Sequence, residues 1–181
     1  MADRGETARI EIRVDRVTQL FDSLDPSPFS RRDLAGRAHD YIVDSARELP
    51  ADQRMEIVVH LPAEAAGGMA QDLLATSFRN YFEDRADHAA MELRDLLRVG
   101  RLSLAIGLGV LAICFALVIV LQSVASLFWS YWVEGLVILG WVALWRPMEI
   151  FLYEWWPILK ERNLYRRLAQ AEVRVVPAGS A

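Results

Sequence analysis

The sequence predicts an α+β membrane protein: a two-helix transmembrane hairpin carrying a small cytoplasmic α/β head, ordered β-α-α-β-α with a further C-terminal strand. Three observations lead there. No charged residue occurs from Leu102 to Val133, whereas both flanks are densely charged. Arg94, Arg98 and Arg101 precede the apolar run and Lys160, Arg162, Arg166 and Arg167 follow the second one, with no Lys or Arg between the spans. Outside these runs the apolar residues alternate with a period of two or recur with helical spacing, which indicates strands and helices of a folded head.

The head begins with Ile10, Ile12 and Val14 alternating with Arg9, Glu11 and Arg13, a half-buried strand. Val17, Leu20, Phe21 and Leu24 follow helical spacing and predict a short helix, ended by Asp25-Pro26-Ser27-Pro28. Ser30 and Asp33 have capping-box spacing and should open a second helix, with Leu34, Ala38, Tyr41, Ile42 and Leu49 on one side and Pro50 as its stop. Met55, Ile57, Val59 and Leu61 alternate with Glu56, Val58 and His60 as a second strand. After the small-residue connector 62–68, a long helix carries Leu74, Phe78, Tyr81, Phe82, Arg85, Ala89, Leu93, Leu96 and Leu97 near one stripe and reaches Gly100. Two strands alone are marginal in water. Glu172 to Val176, ended by Pro177, is therefore expected to return as a third strand, which requires both termini to share a compartment.

The first span, 101–122, offers about 20 apolar residues, enough to cross about 30 Å of hydrocarbon. Gln122, Ser123 and Ser126 make a polar break leading into the external loop 123–131, and the second span is expected at 132–152 with a kink near Pro147; a register of 127–145 is the alternative. The longer register places Trp129, Tyr131 and Trp132 in an outer aromatic belt and Tyr153, Trp155 and Trp156 in an inner one. The remaining organisation is a head at 1–62, a connecting helix at 63–100 and a C-terminal helix and strand at 153–181. The cation asymmetry orients both termini to the cytoplasm, here of a bacterial inner membrane. The N-terminal stretch Met1 to Val14 has no apolar core of a signal peptide, so the spans are expected to act as internal anchors.

Composition excludes several function classes. The chain has 181 residues and net charge −4, with Lys and Arg interleaved among Asp and Glu, so it lacks the concentrated cationic face that a nucleic-acid partner requires. Its one cysteine, Cys114, permits no intrachain disulfide and lies inside the apolar run as a small packing residue. No P-loop, GxGxxG, GxSxG or HExxH pattern occurs. The expectation is a non-enzymatic chain with no cofactor and no metal. Asp84, His88 and Glu92 have the spacing of metal ligands on a helix, but a charged exposed face produces the same spacing. His39 and His60 show no evident partners.

The candidate functional positions lie in the spans. Ala105, Gly109, Ala112 and Ala116 form a smooth face on the first span, suited to close approach by the second span or by another protomer. Glu134, Arg146 and Glu149 are the polar residues in or near the second span, where ionisable groups are costly and often functional. Arg146 and Glu149 are three apart and are expected to pair on one helix face. The expected partners are the lipid bilayer and either further copies of the chain or another membrane protein. Two other readings compete: a channel or transporter subunit using Glu134, Arg146 and Glu149, and a membrane-interface enzyme using Glu149 and Glu154.

The strings Ser23-Leu24-Asp25-Pro26-Ser27-Pro28-Phe29, Asp40-Tyr41-Ile42-Val43-Asp44-Ser45-Ala46 and Gly140-Trp141-Val142-Ala143-Leu144-Trp145-Arg146-Pro147 resemble stretches of uncharacterised bacterial two-span integral membrane proteins. The resemblance implies that architecture, implies no activity and carries over no functional residue.

Overall fold

The computed structural model describes residues 8–28, 31–50, 53–64, 67–122 and 127–178, with the side chains at 121–122 and 127–131 outside the description. Ser30 and the loop residues 123–126 therefore lie outside the described residues, as do the side chains of Trp129 and Tyr131. The elements are β1 (Ala8–Arg13), a 3-10 turn (Val17–Leu20), α1 (Gly36–Glu48), β2 (Met55–Leu61), α2 (Gly68–Gln122), α3 (Leu127–Ala143), α4 (Trp145–Glu149), a π turn (Ile150–Glu154), α5 (Trp155–Ala169) and β3 (Glu172–Pro177). They form two compact units, Met1–His88 with Glu161–Ala181, and Ala89–Lys160.

The first unit is built on a three-stranded sheet of order β1-β2-β3, parallel throughout. The expected return of the C-terminal strand is present: Val173 pairs with Ile57 and Val175 with Val59, while Ile10 and Ile12 flank the same residues from the other side. Parallel neighbours need a long crossover. Between β1 and β2 it contains α1; between β2 and β3 it is everything from Leu61 to Glu172. The apolar hairpin is thus an insertion in the second crossover of a βαβ arrangement. One sheet face carries Ile10, Ile12, Ile57, Val59 and Val173 into a core with Ile42, Val43 and Ala46 of α1, Leu74, Phe78 and Phe82 of α2, and Leu164 and Leu168 of α5. Phe78, Phe82, Ile42, Ile57, Val59 and Leu74 have no exposed surface.

The other face is polar and held by charge. Glu56 on the central strand is buried, and its carboxylate lies between the Arg9 guanidinium at 2.9 Å and that of Arg174 at 3.2 Å. The Arg9 contact is a hydrogen bond, whereas the Arg174 contact has ion-pair distance without hydrogen-bond alignment. The arginine stems can shield this face and the buried Val58 beside it. His60 on the same strand faces Glu11 at 3.4 Å, so it has a partner that the sequence did not reveal.

Two local expectations change. The segment from Val17 to Leu24 is not an α-helix but a 3-10 turn followed by an isolated bridge between Phe21 and Leu34. Asp22 captures the Leu24 N–H at the end of this segment, and just beyond it Asp25 accepts from both Ser27 and Asp33 N–H. Such bonds compete with helix formation. Asp33 is consequently held outside α1, which starts three residues later with no side-chain cap. Of the apolar side predicted for α1, Ile42 is buried, but Val43 and Ala46 share its burial and Tyr41 is exposed, donating its hydroxyl to the Glu11 carbonyl.

In the second unit, α3 begins at Leu127, five residues before the expected start of the second span, and ends at Ala143. Two helices, within Gly68–Val120 and Trp132–Ala169, are long and apolar enough to cross a membrane. Only 17% of each apolar window is buried within the chain, and Leu102, Ile106, Ile113, Ile119, Trp141 and Val142 are each at least 60% exposed.

Candidate functional site

The geometry of the hairpin starts at Pro147. Its ring removes the N–H that would bond to the carbonyl four residues earlier, that of Ala143. Residue 143 is where α3 stops; Leu144 leaves the ideal helical angles, and α4 restarts at Trp145 with Pro147 in its first turn, where a proline is tolerated. The break anticipated near Pro147 therefore falls three residues upstream. Gly107 of α2 approaches this spot so closely that a Cβ there would lie 2.7 Å from the Ala143 oxygen. A Cβ on Gly140 would meet Leu111 at 2.8 Å, and one on Gly100 would meet Ile150 at 2.9 Å. The pairs 100 with 150, 107 with 143 and 111 with 140 descend together, so the helices run antiparallel. Their seam on α2 is Gly100, Gly107, Leu111, Cys114 and Val118, with the seven-, four- and three-residue steps of a coiled-coil seam.

That seam is not the small-residue face singled out from the sequence. Ala105, Gly109, Ala112 and Ala116 are all exposed, and nothing lies within 4 Å of a Cβ built on Gly109. Of the two partners considered for that face, the second span is seated elsewhere on the helix. The sequence signal for the true seam was present in the spacing of Gly100, Gly107 and Leu111, but an apolar helix with small residues on several sides does not show which side is covered.

Arg146, Glu149 and Glu154 form the polar cluster of this unit. The expected bond to Glu149 is present at 3.1 Å. The stronger partner is Glu154, which takes both terminal nitrogens of the guanidinium, Nη1 on one carboxylate oxygen and Nη2 on the other at 3.3 Å. The π turn explains why this partner was missed. An extra residue per turn rotates Glu154 back towards the side of Arg146, whereas an unbroken α-helix would carry residue 154 away from it. The cluster is one cation between two anions. Arg146→Ala is therefore expected to lower folded yield most, because two carboxylates would face each other unpaired. Glu154→Gln should lower it more than Glu149→Gln, because it disturbs the two-bond fork. Yields of these variants after detergent extraction check the order; a Glu149→Gln loss equal to that of Arg146→Ala would contradict it. Glu134 is exposed and has no hydrogen bond or ion pair among the described residues.

The head contains a second polar cluster. Arg85 Nε donates to the Tyr81 hydroxyl at 3.2 Å, and that hydroxyl lies 3.1 Å from His39 Nδ1. The Tyr81 oxygen, accepting from arginine, and the His39 ring nitrogen thus share one hydrogen bond between α2 and α1. Burial first, then the nearby Arg85 charge, lowers the His39 pKa below its ordinary value. Burial raises Tyr81. Tyr165 is pushed up to about 12 by burial and by the hydrogen bond its hydroxyl donates to Glu161 at 2.8 Å. The His39 ring packs against Tyr81, Phe82 and Tyr165, tying α1 to α2 and α5. The network is a polar clasp within the head, with both the hydroxyl and Nδ1 already engaged. Asp84 and His88 lie 3.5 Å apart on an exposed face, and among the described residues no group of three His, Cys, Asp or Glu is placed to hold a metal.

Comparison of the chain with protein-family models, curated proteins and solved structures finds no match.

Proposed function

We propose that the chain is a non-enzymatic, multi-pass protein of a bacterial inner membrane, with both termini cytoplasmic, whose parallel-sheet head is an interaction module. It works as an oligomeric scaffold, or as an accessory subunit of another membrane protein, assembled through the first span. The observation that carries this reading is the unoccupied face of Ala105, Gly109, Ala112 and Ala116, left open while the second span is seated on the opposite glycines. Lipid provides no hydrophobic drive between helices, so smooth small-residue faces are where backbones approach. Membrane insertion is supported by the large exposed apolar surface of both helices, which water would penalise. A shared compartment for the two termini is supported by the pairing of β2 with β3, since the two flanks of the hairpin belong to one sheet. The channel or transporter reading has less support, because Arg146 is neutralised locally by Glu149 and Glu154 and Glu134 stands apart from them. The same ion pairs occupy the carboxylates on which an interface enzyme would depend.

Native mass spectrometry of the detergent-extracted protein should show a multimer or a co-purified membrane partner, and Gly109→Leu should release the monomer. A wild-type monomer across several detergents, with no partner, would remove the assembly. On a Cys114→Ala background, a cysteine at Ser130 should label only from the outer side; labelling from the cytoplasm alone would reverse the orientation.

A further inference from the structure

Resting on that membrane reading, we infer that Arg94, Leu97, Arg101 and Phe151 form a binding site for the headgroup of an anionic phospholipid. These four residues line a cleft of ≈ 310 Å³ in the second unit. Arg94, Leu97 and Arg101 follow one another at i, i+3 and i+7, hence on one stripe of α2. Arg101 is the last charged residue before the charge-free run that begins at Leu102, the level at which a lipid phosphate would sit.

Charge favours an anion. Neither Arg94 nor Arg101 has an ion pair among the described residues, whereas Arg98, between them in sequence, lies 3.9 Å from Asp95 and is not part of the cleft. Two unneutralised guanidiniums on one cleft offer forks suited to the oxygens of a phosphate. The apolar remainder favours a lipid over a soluble phosphate. Leu97 and Phe151 supply a surface for the glycerol backbone and the first acyl carbons, and the lining includes no glycine loop to cradle a free anion.

The aromatic wall is held in place. Phe151 lies in the π turn, its carbonyl accepts a 2.8 Å bond from the Trp155 indole, and its ring lies over Gly100, where a Cβ would come within 3.2 Å. The π turn, the indole bond and the absent side chain at residue 100 together set Phe151 beside the two arginines. Single π turns of this kind often mark functional positions. Basic recesses on the cytoplasmic side of membrane helices are a recurring mode of headgroup recognition.

The test uses the full-length protein in neutral detergent, after its partition into carbonate-washed membranes has been measured separately. Phosphatidylglycerol and phosphatidylcholine with the same acyl chains are titrated in and bound lipid is read by native mass spectrometry. Phosphatidylglycerol should bind preferentially. Arg94→Gln and Arg101→Gln should each weaken it about fivefold, the size expected for one basic residue near an anionic surface. Arg98→Gln should leave it unchanged, and Phe151→Ala should weaken it while the protein remains folded by circular dichroism. Equal binding of phosphatidylcholine, or an Arg98→Gln loss as large as that of Arg94→Gln, would overturn the site. Displacement of the lipid by millimolar inorganic phosphate would overturn it too, by making the ligand a soluble phosphate. A membrane-integrated protein that fails to retain phosphatidylglycerol rejects this inference alone, whereas a protein recovered in the soluble fraction rejects the membrane reading beneath it.

Discussion

Replacing Gly107 by leucine is expected to open the apolar hairpin. The first atom of the new side chain would meet the Ala143 carbonyl oxygen at 2.7 Å, and a backbone atom cannot swing aside as a side chain can. Overpacking a tight interface typically costs about 1–3 kcal/mol, and a collision with backbone belongs at the upper end of that range. Gly140→Leu and Gly100→Leu should cost less, because the atoms they meet first belong to the side chains of Leu111 and Ile150. Gly109→Leu serves as the control: it enters open space within the chain and should leave hairpin stability unchanged even where it breaks an assembly. Unfolding in mixed micelles, followed by tryptophan fluorescence and helical circular dichroism, would rank the four variants. Equal destabilisation by Gly107→Leu and Gly109→Leu would show that the seam is not on the Gly107 side.

Ending the chain after Ala171 is expected to unfold most of the head. The truncation removes β3, with its ladder to β2, and leaves a two-stranded sheet, which is marginal in water. It strips Val173 from the core, a burial worth about 1.5–3 kcal/mol for a side chain of this class. It also takes Arg174 from Glu56, so a buried carboxylate keeps Arg9 as its one remaining cation among the described ion pairs. Amide exchange across Met55–Leu61 should rise by orders of magnitude, and exchange in Ala8–Arg13 should follow because β2 is its only strand neighbour among the described residues. Arg174→Ala in the full chain should give a much smaller rise, separating the charge from the strand. Unchanged exchange in both strands after truncation would show that β3 does not support the sheet.

Much of this architecture was legible because burial leaves a periodic trace. Ile10 and Ile12 alternate with charged residues since one face of β1 meets the core and the other meets water. Leu74, Phe78, Tyr81 and Phe82 recur at helical intervals because the same side of α2 covers the sheet. The apolar runs at 102–121 and beyond Leu127 are long because each must match the thickness of a bilayer if it is to cross one. The string from Val17 to Leu24 misled for a local reason: its spacing is helical, but Asp22 takes the Leu24 N–H that a helix would use, and Phe21 instead bridges to Leu34.

The sequence by itself determined the mixed class, the three strand segments, the charge-free runs and the proximity of Arg146 to Glu149, all of which depend on period, length or spacing along one element. Tertiary structure decided that the sheet is parallel, that Glu56 bridges arginines from both neighbouring strands, that His39 meets the Tyr81 hydroxyl, and that Glu154 joins Glu149 as a partner of Arg146 through a two-bond fork. It also decided that the hairpin closes along Gly100, Gly107 and Leu111 rather than along Ala105, Gly109, Ala112 and Ala116. Pattern states what each surface can tolerate. Only the placement of a second element states which surface is used, because that choice depends on distances between residues far apart in sequence: the Ala143 carbonyl, deprived of its helical donor by Pro147, lies against Gly107, where no side chain stands in the way.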